Sequence, residues 1–157
     1  MYFILILTFC FVCRYYAPVD MLACHYARPW WTFFTYPFYH ASFLHLMVNS
    51  YGLIVYWRFL KVRISPLVLL AVSAVSVPLL GMLSAYRPTG GASGILCVFM
   101  GIYLSLYPER WRIFALVLTL NLLMSFFFPV NALIHIIGVA YGFGIMRAIR
   151  RWTYLLV

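Results

Sequence analysis

The chain has 157 residues, 67% of them hydrophobic and only 8% charged, with a mean hydropathy of +1.02. A soluble domain carries about 25% charged residues, so this composition excludes one and points to a polytopic all-α membrane protein built as a single bundle. The net charge of +9 falls in short basic clusters between apolar runs, which is a membrane-topology signal and not a nucleic-acid footprint.

The first apolar run, Tyr2 to about Ala17, is at the short edge of the ~17–25 residues a span needs. No basic residue precedes it and no small-residue cleavage site follows, so it reads as a first transmembrane helix and not as a signal peptide. Whether Met1 is the true start stays open. Cys10 and Cys13 lie inside this run without a second pair, and they read as small apolar filler. Pro18 to Tyr39 is dense in aromatic residues, with Trp30, Trp31, Phe33, Phe34, Tyr36, Phe38 and Tyr39. Trp and Tyr favour the membrane–water boundary, so this stretch is expected to lie in the interface, partly helical. Cys24 within it could join a disulfide but has no evident partner.

The second span is expected over 40–60, closed by Arg58, Lys61 and Arg63. The third covers 64–86, with Ser73, Ser76 and Pro78 tolerable where neighbouring helices pack against them. The fourth runs over 93–107, about 22 Å at 1.5 Å per residue, too short for a ~30 Å hydrocarbon core. Its start at Ser93 is therefore expected below the surface, in a cavity that protein or water must line. A charged turn, Pro108 to Arg112, leads to a fifth span over 113–128. The turn Pro129-Val130-Asn131 leads to a sixth over 132–149. Six spans put both termini on one side, with Arg58, Lys61, Arg63, Arg110, Arg112, Arg147, Arg150 and Arg151. Arg14, Arg28 and Arg87 fall on the other. The positive-inside rule then places both termini in the cytoplasm and opens the Ser93 cavity outward. No repeat or soluble domain is evident, so 1–157 reads as one membrane domain.

Polar residues inside apolar spans are expensive and tend to face the bundle interior. His40, His45 and Asn49 stand out in the second span, and His135 in the sixth. At 100° per residue His45 and Asn49 share a stripe, 40° apart. His40 is turned well away from His45, at the first turn of its helix, where interhelical hydrogen bonding is the simplest use for it. In the sixth span His135, Gly138 and Gly142 lie on one stripe. In the fourth, Ser93, Gly94, Cys97 and Gly101 do. Small-residue faces of this kind let two helices approach closely, and their meeting would bring Ser93 and His135 together.

Ser93 follows Gly91-Ala92 and precedes Gly94. Alone, this serine reads either as the N-cap of the helix or as a nucleophile at a helix N-terminus. A serine beside a histidine is a nucleophile–base pair. The chain holds only two acids, Asp20 and Glu109, one in the aromatic loop and one on the basic side. A Ser-His-Asp triad is thus unavailable, and a dyad remains. His45, Asn49 and the Ser93 N–H are candidate oxyanion donors. The scarcity of acids and the lack of HExxH argue against aspartyl and zinc proteases. No metal or cofactor is expected.

These residues resemble the rhomboid family of intramembrane serine proteases. The resemblance rests on His40-x4-His45-x3-Asn49, on Gly91-Ala92-Ser93-Gly94 and on His135-x2-Gly138-x3-Gly142. Trp31, Phe34-Thr35 and Met100-Gly101 extend it, and it spans essentially all of 1–151. It implies a six-helix core, Ser93 as nucleophile and His135 as general base. It further implies an oxyanion hole from His45, Asn49 and the Ser93 backbone, with His40 and the glycines Gly91, Gly94, Gly138 and Gly142 supporting the site. Substrates would be transmembrane proteins, cut near the outer end of a helix weakened by small residues. The partners are those substrates and the bilayer, not nucleic acid, and the oligomeric state is unknown. Three positions depart from the family pattern: Thr32 where an arginine is usual, Cys97 where a tyrosine often lies under the histidine, and Ile134 where a small residue precedes it. The chain is also short for the family, with no extramembrane domain or seventh helix.

An intramembrane serine endopeptidase is the leading expectation. A catalytically silent relative that binds transmembrane helices is the alternative, and a histidine-lined proton transporter is a third class that leaves the Gly-Ser-Gly turn unexplained. A bacterial inner membrane is the expected location.

Overall fold

Capping residues and prolines set where the helices begin and end. A computed structural model describes residues 2–13, 22–86, 88–127 and 131–155. Met1, Arg14, Asp20, Arg87, the 129–130 part of the last turn and the ends of the first and fifth apolar runs lie outside them. The helices are α1 (Tyr2–Cys13), α2 (Thr32–Thr35), α3 (Phe43–Leu60), α4 (Pro66–Ser84), α5 (Ser93–Leu106), α6 (Trp111–Phe127) and α7 (Ala132–Leu155). Two 3-10 turns, Tyr36–Phe38 and Pro108–Arg110, stand before α3 and α6.

Ser42 starts α3: its Oγ accepts the His45 N–H at 3.1 Å, a cap worth about 1 kcal/mol. Ser65 does the same for α4, accepting from Leu67 N–H at 3.3 Å. Pro66 follows at the first helical position, where the missing N–H costs nothing. Pro108 stops α5, because a proline cannot continue the hydrogen-bond ladder. Within α4, Ser73 and Ser76 turn their hydroxyls back to the carbonyls of Leu69 and Ser73, at 2.8 and 2.9 Å. That satisfies both without a partner helix.

Among the described residues, two helices are long and apolar enough by themselves to cross a membrane: α4 over Pro66–Leu83 and α7 over Ala132–Arg151, with mean hydropathies of 2.2 and 1.7. The others are shorter or more polar. Helix α1 has 12 described residues and α5 has 14. Helix α3 carries His45, Asn49, Ser50 and Arg58. The reason is visible in α5, of which no residue is exposed. A helix enclosed by protein need not present a full apolar length to lipid. Helix α7 runs past the expected end at 149 to Leu155, carrying Arg147, Arg150 and Arg151 on helical backbone.

Helix α5 is the centre of the bundle. It packs most extensively against α7 and also touches α3, α4 and α6. Three glycines set the α5–α7 distance. A Cβ on Gly101 would collide with the Val139 carbonyl, and one on Gly142 with the Val98 carbonyl. One on Gly138 would lie 3.0 Å from both Cys97 Cβ and the Gly94 carbonyl. Only glycine admits backbone this close.

The segment before α3 is fastened to the rest. Cys24 and Thr89 exchange backbone hydrogen bonds of 2.9 and 3.0 Å, and Tyr26 N–H donates to the Ala85 carbonyl at 3.1 Å. The Phe33 backbone passes over Gly81 of α4, with 3.0 Å from its carbonyl to a Cβ built there. Thr32 is fully buried, and its hydroxyl closes a turn on the Pro29 carbonyl at 2.7 Å. A neutral residue thus anchors the loop from inside. Trp30, Trp31 and Phe34 remain exposed and form one aromatic edge, with Trp30 6.5 and 6.2 Å from the other two rings. Cys24 is buried and all four cysteines are free thiols.

Candidate active site

The site is assembled on the turn that feeds α5. Gly91 has φ of +102°, a conformation that side chains resist. Its N–H donates to the carbonyl of fully buried Tyr36 at 2.8 Å. A Cβ there would also lie 2.6 Å from His45 Cε1 and 3.2 Å from Asn49 Nδ2. Gly91 is therefore required twice, by its torsion and by the two α3 side chains laid against it.

Ser93 is the first residue of α5, and Ala92 holds the cap position with no side-chain cap bond. This corrects the reading of Ser93 as an N-cap. Its hydroxyl turns away from the helix and lies 3.0 Å from Nε2 of His135. His135 sits one turn into α7, and Gly138 and Gly142 let that helix come close enough for the contact. With the imidazole proton on Nδ1, the Ser93 O–H donates to Nε2, which is the arrangement general-base activation of a hydroxyl requires. His135 is only 3% exposed, and its Nδ1 has no hydrogen-bond partner among the described residues.

Asn49 is equally buried at 3% exposure, and its Nδ2 is without a partner among the described residues. A buried amide left unsatisfied costs about 1–3 kcal/mol. Its neighbour on the α3 stripe, His45, is half-buried and within electrostatic reach of His135. The first intrahelical bond of α5 runs from Leu96 N–H to the Ala92 carbonyl at 3.0 Å. The Ser93 and Gly94 N–H groups stand ahead of it, outside the helical ladder. The Asn49 amide and the His45 imidazole lie against Gly91, two residues before Ser93. Donors of this kind can stabilise an oxygen that becomes negative.

His40 does not lie on α3. It precedes the cap Ser42, on the non-helical segment that follows the 3-10 turn, which overturns its expected place in the first helical turn. Fully buried, it accepts the Ala92 N–H on Nε2 at 3.4 Å and bonds the Phe38 backbone. Its ring meets His45 edge-on at 5.0 Å. His40 therefore ties the segment before α3 to the turn before Ser93, where interhelical bonding was the simpler expectation.

Gly94 makes room for a larger neighbour. A Cβ on it would lie 3.1 Å from Cδ1 of Ile134, which is 2% exposed. Cys97 packs on Gly138, beside Met100 and Val139. Position 97 thus holds a cysteine packed on the α7 seam, where the resemblance implied a tyrosine.

Sequence reasoning missed a second tie. Asn131 Nδ2 donates to Thr89 Oγ1 at 2.6 Å, and Tyr86 O–H donates to Asn131 Oδ1 at 3.2 Å. This links the start of α7, one turn before His135, to the turn two residues before Gly91. A polar capping-type residue directly ahead of an apolar run was the available signal, but Asn131 read only as part of a turn. Tyr36 was missed as well, because it acts through its carbonyl.

No curated protein matches the chain. Residues 27–152 match the family described as Rhomboid domain, a stretch that takes in every residue of the site above. On that match the chain belongs to the rhomboid family of integral membrane proteins.

Proposed function

We propose that this protein is an intramembrane serine endopeptidase that works with a Ser93–His135 dyad. The observation that carries the reading is the 3.0 Å contact between Ser93 Oγ and His135 Nε2, two side chains 42 residues apart at the mouth of a fully enclosed helix. Among the described residues the one acidic side chain is Glu109, exposed on the 3-10 turn after α5 at its far end from Ser93, which supports a dyad.

In this reading His135 Nε2 takes the Ser93 proton as Oγ bonds to the scissile carbonyl carbon. The carbonyl oxygen becomes an oxyanion, held by the Asn49 amide, His45 as an Nε2–H donor and the Ser93 backbone N–H. The carbon–nitrogen bond then breaks, and His135 returns the proton to the departing amine. Water repeats the sequence on the acyl-enzyme and restores Ser93. His40 and the four glycines position these groups and take no part in proton transfer.

Substrates are transmembrane helices that unwind near their outer end, so that an extended strand reaches Ser93. The chain forms a single membrane domain of six spans: α1, α3, α4, α5, α6 and α7. The segment from 22 to 39 lies in the interface with its exposed aromatic edge among the lipid headgroups. The basic ends of the helices face the cytoplasm, as the positive-inside rule requires, with both termini on that side. A bacterial inner membrane suits this arrangement.

The test is cleavage in proteoliposomes of single-span proteins carrying Gly and Ala at the outer helix end. Wild type should release two fragments, and Ser93→Ala and His135→Ala should lower the rate by about 10⁴-fold or more. Wild type that binds the spans and leaves them intact would make the protein a silent helix-binding relative.

A further inference from the structure

At the opposite end of the bundle from Ser93 is a cavity of about 480 Å³. It lies where α4 begins, α5 ends and α7 approaches its C-terminus. His135 and Arg150 are 15 residues apart on α7, so the cavity is about 22 Å from the dyad along that helix. Arg63, Arg150 and Ser65 line its polar side, and Val68, Leu106 and Met146 are on its apolar side.

Arg63 lies 6.0 Å over the Tyr107 ring, and Arg150 Nη1 donates to the Ser105 carbonyl at 3.3 Å. These contacts orient the two guanidinium groups at the cavity. Carboxylates are scarce, with two in the whole chain, and only exposed Glu109 falls among the described residues. Ser65 caps α4, whose N-terminus adds partial positive charge to the same side. Two arginines and a helix N-terminus facing an apolar wall are complementary to a phosphate joined to a hydrocarbon chain.

We infer that this cavity binds an anionic phospholipid, its phosphate between Arg63 and Arg150 and an acyl chain along Val68, Leu106 and Met146. The protein is an integral membrane protein, and Arg63 and Arg150 line the cavity at helix ends, so the bilayer can supply such a ligand. A free phosphate would leave the apolar wall unused. The site is independent of what Ser93 does.

The test is native mass spectrometry of the full chain in an uncharged detergent, with phosphatidylglycerol or phosphatidylcholine of identical acyl chains. Wild type should retain one phosphatidylglycerol about tenfold more tightly than phosphatidylcholine. Arg63→Gln with Arg150→Gln should abolish that preference. Arg147→Gln with Arg151→Gln removes the same charge from exposed positions outside the cavity and should keep it. Arg63→Gln alone sits on an exposed turn and reports on the site even where the double variant fails to fold. Equal retention of the two lipids would overturn the inference. So would equal loss in both double variants, or displacement of the lipid by an equal concentration of inorganic phosphate.

Discussion

The Ser93 hydroxyl has two possible destinations, the open N–H groups of its own helix or the imidazole of His135, and it takes the second at 3.0 Å. The choice follows from the turn: φ of +102° at Gly91 and Ala92 at the cap set Ser93 one residue too late to cap α5. Asn49 is the clearest consequence at this scale. Its Nδ2 is buried without a partner among the described residues, an expense for which the proposed oxyanion role accounts. Asn49→Ala should therefore lower kcat by about 10²-fold with little change in KM, measured on a cleaved substrate, while thermal stability holds or rises. Gly91→Ala should abolish activity, because the Cβ falls on His45 and Asn49. Cys24 tests the loop chemistry. Burial pushes its thiol up to about 11, against weaker opposing hydrogen bonds to backbone and Thr89. An ordinary thiol gains thiolate as pH passes about 8.5. Cys24 gains it only as pH approaches 11, so its alkylation by iodoacetamide should stay slow from pH 7 to 9 and accelerate above that. Ser93, His135, His45 and Asn49 were legible as candidates because so few polar atoms occur in the apolar runs. His40's use was not, since its partner is the N–H of Ala92, 52 residues away, and no periodicity reports a backbone partner.

Between elements, the α5–α7 seam sets the contact between Ser93 and His135. Its glycines were readable as small faces at helical spacing, and the structure adds what each one admits. Gly142 and Gly144 stand two residues apart on α7, and they make opposite predictions. Gly142→Ala drives a methyl into the Val98 carbonyl. It should cost about 1–3 kcal/mol, as overpacking does, and should lower activity by separating His135 from Ser93. Gly144 meets nothing within 4 Å, so Gly144→Ala should leave activity intact and add up to about 1 kcal/mol through helix propensity. Thermal melts and cleavage rates of the two variants check this directly. The ties from Cys24 to Thr89, Tyr36 to Gly91 and Asn131 to Thr89 were not legible. They run between irregular segments, where hydrogen bonds follow the final placement of the helices and leave no repeating pattern in the chain.

For the whole molecule, composition specified a helical membrane protein and charge marked one end of it: basic residues gather at the α3–α4 turn, the α5–α6 turn and the end of α7, and the candidate site lies at the other end. The proposed orientation is testable at Val62, 76% exposed in the α3–α4 turn. Val62→Cys should react with a membrane-impermeant maleimide in inverted vesicles and not in right-side-out ones. The lengths of the helices were less legible. Helix α5 is enclosed at 14 residues, a tertiary fact, and α7 continues helically through its arginines beyond the end expected from hydropathy alone. The proposed reacting pair is drawn from two helices, so the most direct measurement is covalent. The purified protein is treated with a serine-directed fluorophosphonate and the adduct is mapped by mass spectrometry. One adduct at Ser93, absent in His135→Ala, is the predicted result. Correctly folded wild type that takes up no label, or takes it up equally without His135, would contradict the dyad.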